Sequence, residues 1–210
     1  MAADRQTNYI YHHTEVNPQY IKISSEFDLS WSIEELVQQF VDVEIPPSVQ
    51  VYADPSGQPH WQLFKSRVAF ARNFFANFPV QCREVADQLQ LLQHAVRSNS
   101  PEHPLVDKFL SHAVSADHIG IIRVLPGDSV APHCDVTRNN SINIGLKNSN
   151  AGTTYISDNK NEKQFWKQNL SSYTMQDGEV YLVEVKNSHA VKSNVNSDSG
   201  QTRYIITYSM

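Results

Sequence analysis

Four residues of this chain are of the types that assemble a reaction centre: His133, Asp135, His189 and Arg203. Two imidazoles and one carboxylate occupy one triangular face of an octahedral iron. The opposite face then stays open for a co-substrate and dioxygen. In an extended strand residues i and i+2 share a face. Within Pro132-His133-Cys134-Asp135, both ligand types therefore point one way and Cys134 the other. His189 lies 54 positions beyond Asp135, so another strand must bring it alongside. Arg203 follows 14 positions later, enough for one hairpin return. A buried guanidinium beside a metal suggests a bidentate carboxylate clamp, which a 2-oxo diacid needs at its far end.

An isolated H-x-D is weak, because short motifs recur by chance and this chain has nine histidines. The surrounding elements strengthen it. His133 follows the turn Leu125-Pro126-Gly127-Asp128, and His189 follows the strand pattern Glu179–Val185 announced by Asp177-Gly178. Arg203 opens Arg203-Tyr-Ile-Ile-Thr-Tyr-Ser209, a further strand pattern. Strands are expected at 119–125, 129–135, 141–147, 152–157, 179–185, 189–194 and 203–209. Short strands at this spacing, broken by Gly, Asp and Asn turns, predict a mainly β fold with α, a barrel-like double sheet.

The first part of the chain is mixed. Tyr20–Ile23 reads as a short strand, and Ser32 with Glu35 as a capping box for a helix through Leu36, Phe40 and Val41. Residues 61–78, rich in Phe and Trp, are open between a helix and an aromatic-lined loop. The clearest helix runs from Cys82 to Ser98, where Val85, Leu89, Leu92 and Val96 recur at helical spacing. Pro104 suits the first turn of another, with Val106, Phe109 and Leu110 against the β core. Residues 158–171, with Lys160, Lys163, Phe165 and Trp166, read as a long insertion, either a substrate-contacting loop or a surface excursion.

The pleat narrows the choice of pocket residues. On 141–147, Ile142, Ile144 and Leu146 share the face that meets the core, while Ser141, Asn143, Gly145 and Lys147 share the other. That second face is either solvated or the lining of a cavity. On the last strand Arg203, Ile205 and Thr207 alternate with Tyr204, Ile206 and Tyr208. If Arg203 faces inward it needs a carboxylate, because an unpaired buried guanidinium is very costly. Arg123 and Arg138 are further carboxylate clamps or else solvated strand-end charges. Trp166 and Tyr155 line a substrate mouth or pack as core aromatics, and Cys134 reads as a small core residue facing away from the metal.

Composition sets the bounds. At 210 residues and 40% hydrophobic, the chain can bury one sizeable core, and one domain over 1–210 is expected. Residues 1–115 then form a largely helical support and 116–210 the jelly-roll core with the metal site. A net charge of -5 and a pI near 6.0 offer no general attraction for phosphate backbones, so no nucleic-acid partner is expected. No run of about 18 apolar residues and no signal peptide is evident, which predicts a cytoplasmic protein without a membrane partner. Two cysteines are too few for a disulfide framework. Nothing in the sequence sets an oligomeric state.

The residues Arg123-Val-Leu-Pro-Gly127, Pro132-His-Cys-Asp135, Ile142-Asn-Ile-Gly-Leu146, Gly178-Glu-Val-Tyr181, Asn187-Ser-His-Ala-Val191 and Arg203 carry a resemblance. In that order and spacing the stretch from Ile119 to Tyr208 resembles the core of the Fe(II)/2-oxoglutarate-dependent oxygenases. Within them it is most similar to the aspartyl/asparaginyl β-hydroxylase-like group, which includes free-proline cis-hydroxylases. The resemblance implies a double-stranded β-helix with N-terminal helices packed against it. It places His133, Asp135 and His189 on Fe(II) and Arg203 on the distal carboxylate of 2-oxoglutarate.

Members of that group often hold the other carboxylate with an Arg and a His on the next strand. The matching positions here are Ser141 and Asn143, with Arg138 the nearest guanidinium. The resemblance further implies that 2-oxoglutarate and O2 are consumed, succinate and carbon dioxide released, and an unactivated C–H hydroxylated. The substrate would be a small molecule or peptide, an amino-acid side chain of Asp, Asn or Pro type, free or within a polypeptide.

Three other readings stay open. A cupin-like metal-binding protein or isomerase would share the barrel and ligands, but it needs no diacid clamp such as Arg203. A nucleobase-demethylating oxygenase carries a second Arg several residues beyond the clamp, and none follows Arg203. A scaffold that has lost its metal would not be expected to keep all three ligand residues.

Overall fold

Apolar and polar residues alternate from Ile119 onward, and the chain realises this as strands that switch repeatedly between two sheets. The computed structural model describes residues 16–40, 48–50, 64–66, 78–99, 102–127, 129–135, 138–194 and 201–210. In chain order the N-terminal part holds β1 (Val16–Asn17), β2 (Tyr20–Ser24), α1 (Ile33–Phe40), β3 (Ser48–Gln50), β4 (Phe64–Ser66), α2 (Pro79–Ser98) and α3 (Pro104–Ser111). The C-terminal part holds β5 (Ile119–Val124), β6 (Val130–His133), β7 (Asn140–Lys147), β8 (Gly152–Ser157), β9 (Leu170–Thr174), β10 (Val180–Glu184), β11 (His189–Ser193) and β12 (Arg203–Ser209).

The larger sheet has the order β1-β2-β10-β7-β12-β5 and the smaller β6-β11-β8-β9. Strands β5, β7, β10 and β12 thus alternate along the chain with strands of the opposite sheet, and the described pairings within both sheets are antiparallel. That winding is a double-stranded β-helix, or jelly roll. The strands β3 and β4 pair separately.

Two apolar layers follow from the pleat. Ile142, Ile144, Tyr204, Ile206 and Tyr208 face outward from the larger sheet and meet α2 and α3 through Val85, Leu89, Leu92, Val106 and Phe109. Their alternate neighbours face inward, where Ile205, Ile156, Tyr173, Met175, Tyr181 and Val183 pack between the sheets. The helices expected from sequence are present. The α2 helix begins at Pro79, three residues before the expected start at Cys82, and α3 is capped by His103, whose ring accepts from the Leu105 amide. Leu89 is fully buried on α2. Leu89→Ala should therefore cost about 2–5 kcal/mol of stability, read from the midpoint of urea unfolding. A loss below about 1 kcal/mol would show that this helix does not anchor the outer layer.

The segment 158–171 is not a structureless insertion. Glu162–Lys167 forms a 3-10 helix, and Leu170 starts β9, which pairs with β8 from Thr153↔Thr174 to Ser157↔Leu170. The cause is tertiary. Leu170-Ser-Ser-Tyr-Thr174 has little apolar alternation, but β8 offers it an open backbone edge and Tyr181 stacks on Tyr173 at 4.3 Å.

At Asp177-Gly178 the expected turn is present, with Gly178 at φ 80°. Beside it a Cβ on Gly145 would lie 2.1 Å from the Gln176 carbonyl, so the chain passes too close there for a side chain. Val41, most of 61–77, Asp128 and His12-His13 lie outside the described residues. Among the described residues no helix is long and apolar enough to cross a membrane.

Candidate metal centre

The centre is built where β6 meets β11. These strands pair antiparallel with His133 directly opposite His189, so their side chains share one face. The two rings sit 4.2 Å apart between centroids. Asp135 lies just past the end of β6, but its amide still donates to the Val185 carbonyl at 3.1 Å, which prolongs the extended backbone by two residues. The pleat therefore continues as expected. One ligand atom from each of His133, Asp135 and His189 lies within 4.8 Å of the other two. Cys134 points the opposite way, with its amide on Glu162 and its thiol near the Lys160 carbonyl. Burial and the Glu162 carboxylate push that thiol upward.

Both imidazoles are set for coordination. Nδ1 of His133 approaches the Ala131 carbonyl at 2.8 Å, and Nδ1 of His189 the Asn187 carbonyl at 3.0 Å. A carbonyl only accepts, so each Nδ1 carries the proton and each Nε2 presents its lone pair to the shared space. Burial, and then the neighbouring His133, push His189 down to about 4. It is neutral at physiological pH, and no proton must leave before it binds a cation. Nε2 of His133 lies 3.8 Å from Oδ1 of Asp135, while Nε of Arg138 donates to the other carboxylate oxygen. One oxygen of Asp135 is thus left for the centre.

A file of polar side chains runs inward from there. Arg138 donates to Thr207 Oγ1 at 2.7 Å, and Thr207 meets the Ser141 hydroxyl at 2.9 Å. Ser141 donates to Asn143 Oδ1 at 3.0 Å, and Asn143 donates to the Tyr173 hydroxyl at 3.2 Å. The face of β7 that carries Ser141 and Asn143 is therefore interior, not solvated. Burial pushes Tyr173 upward, so it stays a phenol able to donate.

Arg203 lies at the same inner end, close enough to Tyr173 for their charges to interact. It is 5% exposed and donates from Nε to the Ser149 carbonyl at 2.9 Å. Burial pushes it down to about 10, which still leaves it cationic at neutral pH. Among the described residues no carboxylate forms an ion pair with it.

Two of the sequence expectations fall elsewhere. Arg123 pairs across from Tyr204 on the outward, helix-facing side of the larger sheet, where its Nε is buried with no hydrogen-bond partner among the described residues. It faces away from the centre because it is two residues on from Ile121, which packs in the outer layer. Trp166 packs edge-on against Tyr155 at 5.4 Å. Tyr155 neighbours the inward Ile156 on β8 and so turns outward, away from His189. Arg138 is at the centre, but as a partner of Asp135. Tyr173 is the interior residue that the sequence did not single out. Its only early signal was an aromatic within a run of serines and threonines.

No family model and no curated protein matches the chain. Solved structures of similar shape include the non-heme alpha ketoglutarate dependent epimerase SnoN from nogalamycin biosynthesis. The match has a TM-score of 0.48 at 9% identity, over 90% of this chain and 76% of that one. AviO1 from Streptomyces viridochromogenes Tue57 has a TM-score of 0.48 at 13% identity, over 92% and 90%. An oxalate oxidase in complex with the substrate analogue glycolate has a TM-score of 0.32 at 16% identity, over 44% of this chain and 42% of that one. At these scores the likenesses carry no weight for the chemistry. That rests on a jelly roll whose own strands bring two histidines and an aspartate to one point.

Proposed function

We propose that this protein is an Fe(II)- and 2-oxoglutarate-dependent dioxygenase that hydroxylates an unactivated C–H of an amino-acid or peptidyl side chain. The observation that carries the proposal is Arg203. A cation this deeply buried costs several kcal/mol unless an anion meets it, and no described carboxylate does so. It shares the interior with Tyr173, Asn143 and the three converging ligand atoms. A dicarboxylate with one end at the metal and the other on the guanidinium would meet that need. A metal protein without such a co-substrate has less call for a buried arginine that no described carboxylate meets.

The donor set of two neutral imidazoles and one carboxylate suits ferrous iron and leaves positions for further ligands. Iron bound there supplies the redox chemistry with dioxygen. The chain's own residues do the rest. His133, Asp135 and His189 hold the metal, and Arg203 with Tyr173 fixes the far carboxylate. Ile156, Ile205 and Val183 keep the interior dry. The choice of Asp, Asn or Pro type side chains follows from the family resemblance of the core motifs.

The test is anaerobic loading with Fe(II), then exposure to oxygen with 2-oxoglutarate and panels of amino acids and peptides. The expected result is iron-dependent succinate and a product heavier by one oxygen in the mass spectrum. A fully metallated protein that makes no succinate with any panel would leave the cupin-like, non-oxygenase alternative.

A further inference from the structure

One short segment outside the donor set touches both arms of the centre. Strand β6 lies at the edge of the smaller sheet, and its ladder to β11 ends at His133. The next two amides, of Cys134 and Asp135, must find acceptors elsewhere. Asp135 uses the Val185 carbonyl at 3.1 Å. Cys134 uses the Glu162 carboxylate at 3.0 Å, and its thiol meets the Lys160 carbonyl at 3.7 Å. On the other arm the Ser188 amide, next to His189, donates to the Asn159 carbonyl at 2.9 Å. Residues 159–162 therefore hold the chain neighbour of each histidine.

The segment is itself fixed. The Ser157 hydroxyl donates to the Asn159 carbonyl at 2.5 Å, and the Asn161 amide to Asn159 Oδ1 at 2.8 Å. Gln168 donates to the Asn161 carbonyl at 2.7 Å, and Phe165 in the 3-10 helix that follows is fully buried. Among the described residues Glu162 forms no ion pair, so its carboxylate is left for the Cys134 amide, a charge-assisted bond. We infer that residues 159–162 brace the two histidine arms against each other, with Glu162 as a positioning residue for the arm that carries His133 and Asp135. The inference rests on the metal-centre reading and adds a residue outside the donor set. Without Glu162 the arm beyond His133 loses one of its two backbone ties, and donor atoms that are held less firmly bind a metal less tightly.

The experiment is Mn(II) titration of the full chain by EPR, in the parent and in three variants checked by circular dichroism. Glu162→Ala removes both the charge and the bond. Glu162→Gln keeps an acceptor oxygen at the same reach without the charge. Glu162→Asp keeps the charge but falls one methylene short of the Cys134 amide. The Mn(II) Kd should rise by about tenfold in Glu162→Ala and Glu162→Asp, the lower end of what an outer partner costs a metal site. Glu162→Gln should recover most of that loss. The glutamine and aspartate variants decide the matter by themselves if Glu162→Ala fails to fold.

If Glu162→Gln binds as weakly as Glu162→Ala, or Glu162→Asp matches the parent, the carboxylate does not act through the Cys134 bond and the inference is overturned. Three variants that all bind Mn(II) like the parent overturn it as well. A parent that binds no Mn(II) would take down the metal centre together with its brace, whereas the variant patterns remove the brace alone.

Discussion

Replacing His189 with alanine is expected to lower Mn(II) or Fe(II) affinity by more than about a hundredfold and to end iron-dependent succinate formation. Loss of an outer partner alone costs a metal site on the order of 10–100-fold, and in the proposed centre His189 would supply a direct ligand atom. The register makes the case strong, since His189 stands opposite His133 on paired strands and cannot be replaced by a neighbour from the same strand. Ala190 faces the other side, and the next inward residue, Val191, offers no donor. The fold should survive. The imidazole's own bond is local, to Asn187 two residues away, and the β11 ladder to β8 runs through the backbone. Metal titration beside circular dichroism checks both halves. A variant that folds and still binds metal at parental affinity would remove His189 from the centre.

The second large effect concerns Arg203, and its sign differs between binding and stability. Arg203→Met should raise the Kd for 2-oxoglutarate by on the order of a hundredfold or more. Truncating one partner of a buried, hydrogen-bonded charge pair typically costs about 2–5 kcal/mol. Metal binding in the absence of co-substrate should not weaken. Without ligand, however, the guanidinium is buried against Ser149 and Tyr173 with no described acid to offset it. Removing that uncompensated charge and keeping an apolar stem should stabilise the ligand-free protein by about 1–3 kcal/mol. A higher melting temperature together with lost 2-oxoglutarate binding would mark a site that gives up stability for function. A variant that loses both stability and binding would point to Arg203 as a structural residue.

Much of this was legible before the structure. The apolar alternation on β7 and β12 sorted their residues into two faces, though not which of them lines the interior, and the spacing from His133 to Asp135 gave their shared direction. The helical stripe from Val85 to Val96 marked the layer that covers the larger sheet. What escaped did so for identifiable reasons. Strand β9 is built from serines and threonine around one tyrosine, so its strand character comes from the edge of β8 rather than from its own pattern.

The attachment of Arg138 to Asp135 depends on how the chain turns after β6, which composition does not specify. Sequence offered Arg138 as a clamp for a ligand carboxylate or a solvated strand-end charge. Arg123 is different. The alternation puts it on the face of Ile119 and Ile121, and the packing of the helices on that face makes it the outward one, away from the space between the sheets. Trp166 is a tertiary matter again, since it packs through a 3-10 helix onto the outer side of β8.

The central claim is convergence of three donor atoms on one ion, and anomalous X-ray scattering tests it most directly. Crystals grown anaerobically with Mn(II) and 2-oxoglutarate should show one strong peak at bonding distance from Nε2 of His133, Nε2 of His189 and one oxygen of Asp135. Electron density for the dicarboxylate should extend from that peak towards Arg203. A crystal saturated with metal in which the peak lies elsewhere, with these three side chains unliganded, would contradict the account.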